Sequence, residues 1–213
     1  MTTQAQTTQW KKWARDNGHV SDDARVVLVE WSGKLRTAIS LAESRLDADS
    51  FAHSMRVAAR TGENLPGHRD PLGDDEDKTA GLKAMVVAVL HDLIEDQTRG
   101  QVVHFGHLAD EFGEEVSEAV ETLTRPVATG VTYRDYIDDV STNALATQVK
   151  IADLEDHLSE ANASTLKPTL RPRYEHALSQ LTATMRRDAL EHSWHADDIK
   201  RSTLKRLAIQ RRG

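Results

Sequence analysis

Apolar positions recur along most of this chain three or four residues apart, the period of a helix with one buried face. Val27, Trp31, Leu35, Ile39 and Ala42 form one such stripe. Val26, Val27 and Val29 are β-branched and suit a strand, but the longer stripe reads as helix. Ser21 is its expected cap, with Asp22 and Asp23 at the positive end. The acidic stretch 47–49 breaks this helix. A second one, capped by Asp49 or Ser50, carries Phe51, Met55, Val57 and Ala58, with His53 in its first turn. Residues 62–81 are rich in Pro, Gly and Asp and read as a long polar loop that includes the solvated run Asp74–Asp77. A central helix over about 77–96 follows. It holds the longest uninterrupted apolar run, residues 84–90, far short of the roughly 20 needed to span a bilayer.

Beyond it, a short helix within 102–112 ends at Gly113, and 114–123 forms another with acids in its first turn. Thr132 opens T-Y-R-D, a capping box with Asp135 in place of Glu. Asn143 caps a helix through Ala146, Val149, Ile151, Ala152, Leu154 and Leu158. Pro168 and Pro172 stand near the start of a helix with Tyr174, Leu178 and Leu181. A last helix is expected over about 186–209. With no convincing strand or repeat, the chain reads as one all-α domain over 21–185. Residues 1–20 are expected to be flexible, and 186–213 to form a C-terminal helix with a basic tail.

The composition narrows the partners. The 213 residues are 38% hydrophobic, enough for one full core. There is no cysteine, which excludes thiol nucleophiles, disulfides and thiolate zinc sites and fits a reducing compartment, the cytoplasm. The polar start MTTQAQTTQ lacks the apolar core of a secretion signal. The net charge of -7 argues against non-specific nucleic-acid binding. It leaves room for a small anionic substrate, because a metal and a few cations invert the local field.

The chemistry gathers at the end of the central apolar run, where the chain reads A-V-L-H-D-L-I-E-D. In a helix, His91 and Glu95 are i,i+4 neighbours, as are Asp92 and Asp96. Leaving that much charge beside a core is costly without compensation, and a metal ion supplies it. Two other helices offer ligand-type residues: His53 in F-A-H-S-M-R-V-A, and Asp153 in V-K-I-A-D-L-E-D-H-L, set among apolar neighbours. Two imidazoles and two carboxylates suit a six-coordinate divalent ion such as manganese, with positions left for water or substrate. Taken singly, His53 also fits a surface or core role and Asp153 that of an exposed acid. His104, His107, His192 and His195 fall outside these segments and read as surface residues.

The order H…H-D…D resembles that of the HD-domain metal-dependent phosphohydrolases. The fuller form H-D-L-I-E-D resembles the hydrolase domain of RelA/SpoT proteins and the single-domain small alarmone hydrolases. F-A-H-S-M-R-V-A is similar to the family's Y-x-x-H-P-x-x-V-A, with Phe51 for Tyr and Ser54 for Pro. E-F-G-E-E-V-S-E-A-V-E-T-L-T and Q-V-K-I-A-D-L-E-D-H match two later segments, so the likeness spans about residues 35–160. Gln97 follows H-D-L-I-E-D where the family usually has Thr, and His157 stands in place of a nucleotide-contacting Asn.

The resemblance implies an HD-domain helical bundle in which His53, His91, Asp92 and Asp153 hold one manganese ion. It implies that Glu95 and Asp96 orient or deprotonate the attacking water, and that the reaction removes the 3′-pyrophosphate from (p)ppGpp. Arg45 would face the base, Lys150 a phosphate and His157 the nucleotide. Each also has a plainer role: Arg45 as a solvated helix end, Lys150 as partner to a nearby carboxylate. Tyr133, Arg134 and Tyr136 fit packing and capping better than a pocket lining. The length leaves no room for a synthetase domain, so degradation alone is expected, by a monomer or homodimer. The alternatives are another nucleotide as substrate, or a non-catalytic module that binds one.

Overall fold

The computed structural model describes residues 22–63, 75–125, 130–162 and 166–188. The segment 1–20, Ser21, most of the expected loop and the tail 189–213 with His192 and His195 lie outside these. The elements are α1 (Asp22–Arg45), α2 (Ala48–Glu63), α3 (Asp75–Leu90), α4 (Leu93–Asp96), α5 (Phe105–Phe112), α6 (Glu114–Leu123), α7 (Tyr133–Val140) and α8 (Ala144–Leu158). A 3-10 turn, Glu160–Asn162, and a helix over 171–188, α9, complete the order. Among the described residues there is no strand, and the fold is an all-α bundle.

α3 is its axle. It packs against α1, α2, α6 and α8, and Val86, Val87, Ala88, Val89 and Leu90 are all fully buried. A helix enclosed on all sides is apolar all round, which is why this run shows no stripe. Its three valines each cost a few tenths of a kcal/mol in helix propensity. Burying each contributes about 1.5 kcal/mol or more, so packing decides. α1 lays Trp31, Ala38 and Ala42 on this axle, with Val27, Leu35 and Ile39 partly covered, so the helical stripe is the buried face.

The caps at Thr132 and Asn143 form as read. Thr132 Oγ1 accepts from Asp135 N while the Asp135 carboxylate accepts from Thr132 N, and Asn143 Oδ1 accepts from Ala146 N at 3.0 Å. Gly113, at φ 98°, allows α5 to stop and α6 to start without a linker.

Five boundaries differ from the expectation. Asp47 caps α2, not Asp49 or Ser50: its Oδ1 accepts from both their backbone N–H groups at 2.9 Å. His53 therefore falls in the second turn. α2 runs on to Glu63 and α3 begins at Asp75, so the expected loop over 62–81 is helical at both ends, including the acidic residues 75–77. The helix over 171–188 passes straight through Arg186, where a new one was expected to start. The central helix does not run unbroken to Asp96. It stops at Leu90, and Asp92 sits at φ -98°, ψ 1°. At the break, His91 Nδ1 bonds the Ala88 carbonyl at 2.8 Å, the acceptor that the Asp92 N–H would have in a continued helix.

Candidate metal centre

That break turns His91 and Asp92 across the end of the axle. His53 arrives from α2, whose buried face is Ser54, Val57, Ala58 and Thr61. Asp153 arrives from α8 with Ile151, Ala152 and Leu154 buried around it. His53 Nε2 lies 3.1 Å from Asp153 Oδ1 and 3.6 Å from Asp92 Oδ2. His91 Nε2 lies 3.1 Å from Asp92 Oδ2 and 3.9 Å from Asp153 Oδ1. Ligands at right angles around an ion with bonds of about 2.1 Å stand about 3 Å apart, and the ligand atoms of His53, His91 and Asp92 all lie within 4.8 Å of one another, with Asp153 beside them.

Three of the atoms facing one another, His53 Nε2, His91 Nε2 and Asp153 Oδ1, are buried and make no hydrogen bond. Buried polar atoms without a partner are costly, and a bound cation would satisfy all three. A carbonyl only accepts, so the bond to Ala88 puts the proton of a neutral His91 on Nδ1 and leaves Nε2 a lone pair. The donor set fits a divalent ion on chemistry as well as on spacing.

Charge inside the cluster is held by mutual pairing. Burial alone would lower the His91 pKa, but the Asp92 carboxylate beside it raises it to about 9. His53 moves up too, against its burial, through Asp153. Burial would raise Asp153, but the Lys150 ammonium 2.8 Å from its Oδ2, with His157 and His53, holds it well below the ordinary carboxylate range. Lys150 is held well above its own range, because Asp153 outweighs its burial. Lys150 thus pairs with a nearby carboxylate, one of its two expected roles.

Glu95 and Asp96 flank the cluster on α4 without entering it. Glu95 Oε1 accepts from Arg125 N, and Asp96 Oδ2 accepts from Ser50 Oγ at 3.2 Å. Partial desolvation, and then the charge of Asp92, raise both carboxyls above their ordinary values. A carboxylate with a raised pKa is a better proton acceptor.

His157 comes to the cluster rather than beside it, with Nε2 3.2 Å from Asp153 Oδ1. With His53 and Asp153 it forms a trio within ligating reach, next to the trio of His53, His91 and Asp92. Arg45 is not brought there: its guanidinium lies against Gly100, and its carbonyl accepts from Thr98 N and Arg99 N. Tyr136 packs as expected, its hydroxyl donating to the Leu123 carbonyl at 2.6 Å. The Tyr133 hydroxyl is buried without a hydrogen-bond partner, and the guanidiniums of Arg125 and Arg173 lie over the ring, 5.7 and 5.2 Å from its centroid. His104 and His107 are exposed, and His107 Nδ1 accepts from His104 N in a helix cap.

Sequence reasoning missed Asp156. It is fully buried on α8, and His53 Nδ1, Arg56, Arg60 and Asn162 all point at its carboxylate. Its position three residues after Asp153, on the same helix face, was the only signal. A cavity of about 350 Å³ opens beside this group, lined by His53, Arg56, His157, Asn162, Lys167 and Tyr174. No family model matches the chain, and no curated protein does. No helix among the described residues is long and apolar enough to cross a membrane.

Proposed function

We propose that the chain is a metal-dependent phosphohydrolase of the HD-domain type, acting on a nucleotide, with (p)ppGpp the first substrate to test. The observation that carries this is the convergence of His53 Nε2, His91 Nε2 and Asp153 Oδ1, all buried and without hydrogen-bond partners, beside Asp92. These four residues would hold the ion, with manganese the best match to two imidazoles and two carboxylates. When bound there, such an ion would supply a water acidified toward neutral pH and a polarised phosphoryl oxygen. Glu95 and Asp96, on the exposed side of Asp92, take the proton from the attacking water. Lys150 keeps Asp153 ionised.

The cavity beside His53 supports a nucleotide. Arg56 and Lys167 supply positive charge for phosphate, and the rings of His157 and Tyr174, 5.5 Å apart, supply flat surface for a base. The absence of cysteine agrees with a cytoplasmic setting.

A second reading keeps the chemistry and changes the nucleotide. Two observations favour it: Arg45 lies on the Gly100 turn, and His157 is turned to Asp153. The test is manganese-loaded protein incubated with ppGpp and a panel of nucleoside mono-, di- and triphosphates and cyclic nucleotides. Release of pyrophosphate from ppGpp, abolished by His91→Ala, is expected. Cleavage of another nucleotide alone selects the second reading. Tight binding of a nucleotide with no product over hours makes the chain a binding module and overturns catalysis.

A further inference from the structure

We propose that Asp156 is a positioning residue that fixes His53 in the tautomer with its proton on Nδ1, so that Nε2 presents a lone pair to Asp92 and Asp153. The tautomer follows from geometry alone; its consequence for metal affinity rests on the metal centre proposed above.

His53, Arg56 and Arg60 stand at i, i+3 and i+7, on one face of α2. All three reach one carboxylate on α8. His53 Nδ1 is 3.0 Å from Asp156 Oδ2. Arg56 Nε is 3.1 Å from Oδ2 and its Nη2 also 3.1 Å, while Arg60 Nε is 3.2 Å from Oδ1. Asn162 Nδ2 adds a bond to Oδ2 at 3.1 Å. Two guanidiniums and an amide therefore fix the plane of a fully buried carboxylate, and that plane fixes the ring of His53.

A carboxylate facing two arginines accepts hydrogen bonds only, so the proton of a neutral His53 belongs on Nδ1. The competing tautomer is available on the other side of the ring. With its proton on Nε2, His53 would turn an N–H rather than a lone pair toward Asp153 Oδ1, 3.1 Å away, and would be closed to a cation. Asp156 decides between the two. A carboxylate behind a metal-ligating histidine typically contributes 10- to 100-fold in metal affinity.

The experiment reads tautomer and affinity separately. In metal-free, 15N-labelled protein, two-bond 1H–15N correlation spectra are followed to alkaline pH until the His53 ring is neutral. The expected result is a protonated Nδ1; a protonated Nε2 in the wild-type chain overturns the proposal. Asp156→Leu removes the acceptor at similar volume. It is expected to move the proton to Nε2 and to weaken manganese binding by 10- to 100-fold in calorimetry. Unchanged tautomer and affinity in that variant overturn the proposal.

Should Asp156→Leu not fold, the wild-type spectrum still decides, because a protonated Nε2 there overturns the proposal. A wild-type chain with the Nδ1 proton but no manganese binding upholds the role of Asp156 and overturns the metal centre.

Discussion

Asp153 Oδ1 stands 3.1 Å from His53 Nε2, while its other oxygen holds the Lys150 ammonium at 2.8 Å. One buried carboxylate thus serves the cluster on one side and a buried cation on the other. Removing one partner of a buried ion pair costs about 3 kcal/mol. Asp153→Ala is expected to lose about that much in urea unfolding and to lose manganese binding. Lys150→Met is expected to be destabilised in EDTA and to recover on adding manganese, because the ion then compensates the carboxylate. A Lys150→Met protein equally weak with and without metal would speak against the cation site.

Stability in EDTA should depend on pH in a stated direction. His91 titrates at about 9 in the folded chain and at 6.5 unfolded. A raised pKa stabilises fully below the unfolded value and is lost as pH rises through the folded one. His53 shifts the same way. The melting temperature without metal is therefore expected to fall from about pH 6.5 to about pH 9. Manganese competes with these protons, so its affinity should rise over the same window and its binding should release protons, both readable by calorimetry in buffers of different ionisation heat. On the acid side the sign reverses. Asp92 and Asp153 are lowered, so their contribution is present above 3.8 and is lost as pH falls below it.

Glu95→Gln keeps an oxygen for the Arg125 N–H and removes the proton acceptor. Turnover on a cleaved nucleotide is expected to fall by about 10²- to 10⁴-fold with manganese affinity unchanged. His91→Ala is expected to lose both. Measuring kcat and metal binding on the same samples separates a base from a ligand.

Tyr136→Phe tests the packing role. Its buried hydroxyl ties the end of α6 to α7 through the Leu123 carbonyl. Its loss is expected to cost about 1–2 kcal/mol in denaturant unfolding and to leave metal binding intact.

Gly100 holds φ 70°, and a Cβ there would meet Arg45 Nη1 at 2.7 Å. Gly100→Ala is expected to cost about 1–2 kcal/mol in thermal or urea unfolding. It should also displace the Arg45 guanidinium while leaving nucleotide turnover unchanged, since Arg45 sits on this turn rather than in the cluster.

Much of the helical layout was legible along the chain. The span Glu114–Leu123, the Thr132 and Asn143 caps and the Val27–Ala42 stripe all depend on residues within a few positions of one another. Hydrogen bonds from i to i+4 and a 3.6-residue period are local, so local sequence records them. The choice of Asp47 over Asp49 as cap was not legible, since both are carboxylates and the decision lies in where α1 ends.

The site divides the same way. Sequence by itself determined the residue types: an H-D pair ending an apolar run, acids after it, and a histidine and an aspartate on two other helices. Only tertiary structure decided that α2 and α8 close on the end of α3, that His157 turns to Asp153 while the Arg45 guanidinium lies against Gly100, and that Asp156 stands behind His53. Those choices are set by helices packing from distant parts of the chain, where a side chain's partner depends on which faces meet. No spacing along the chain encodes that.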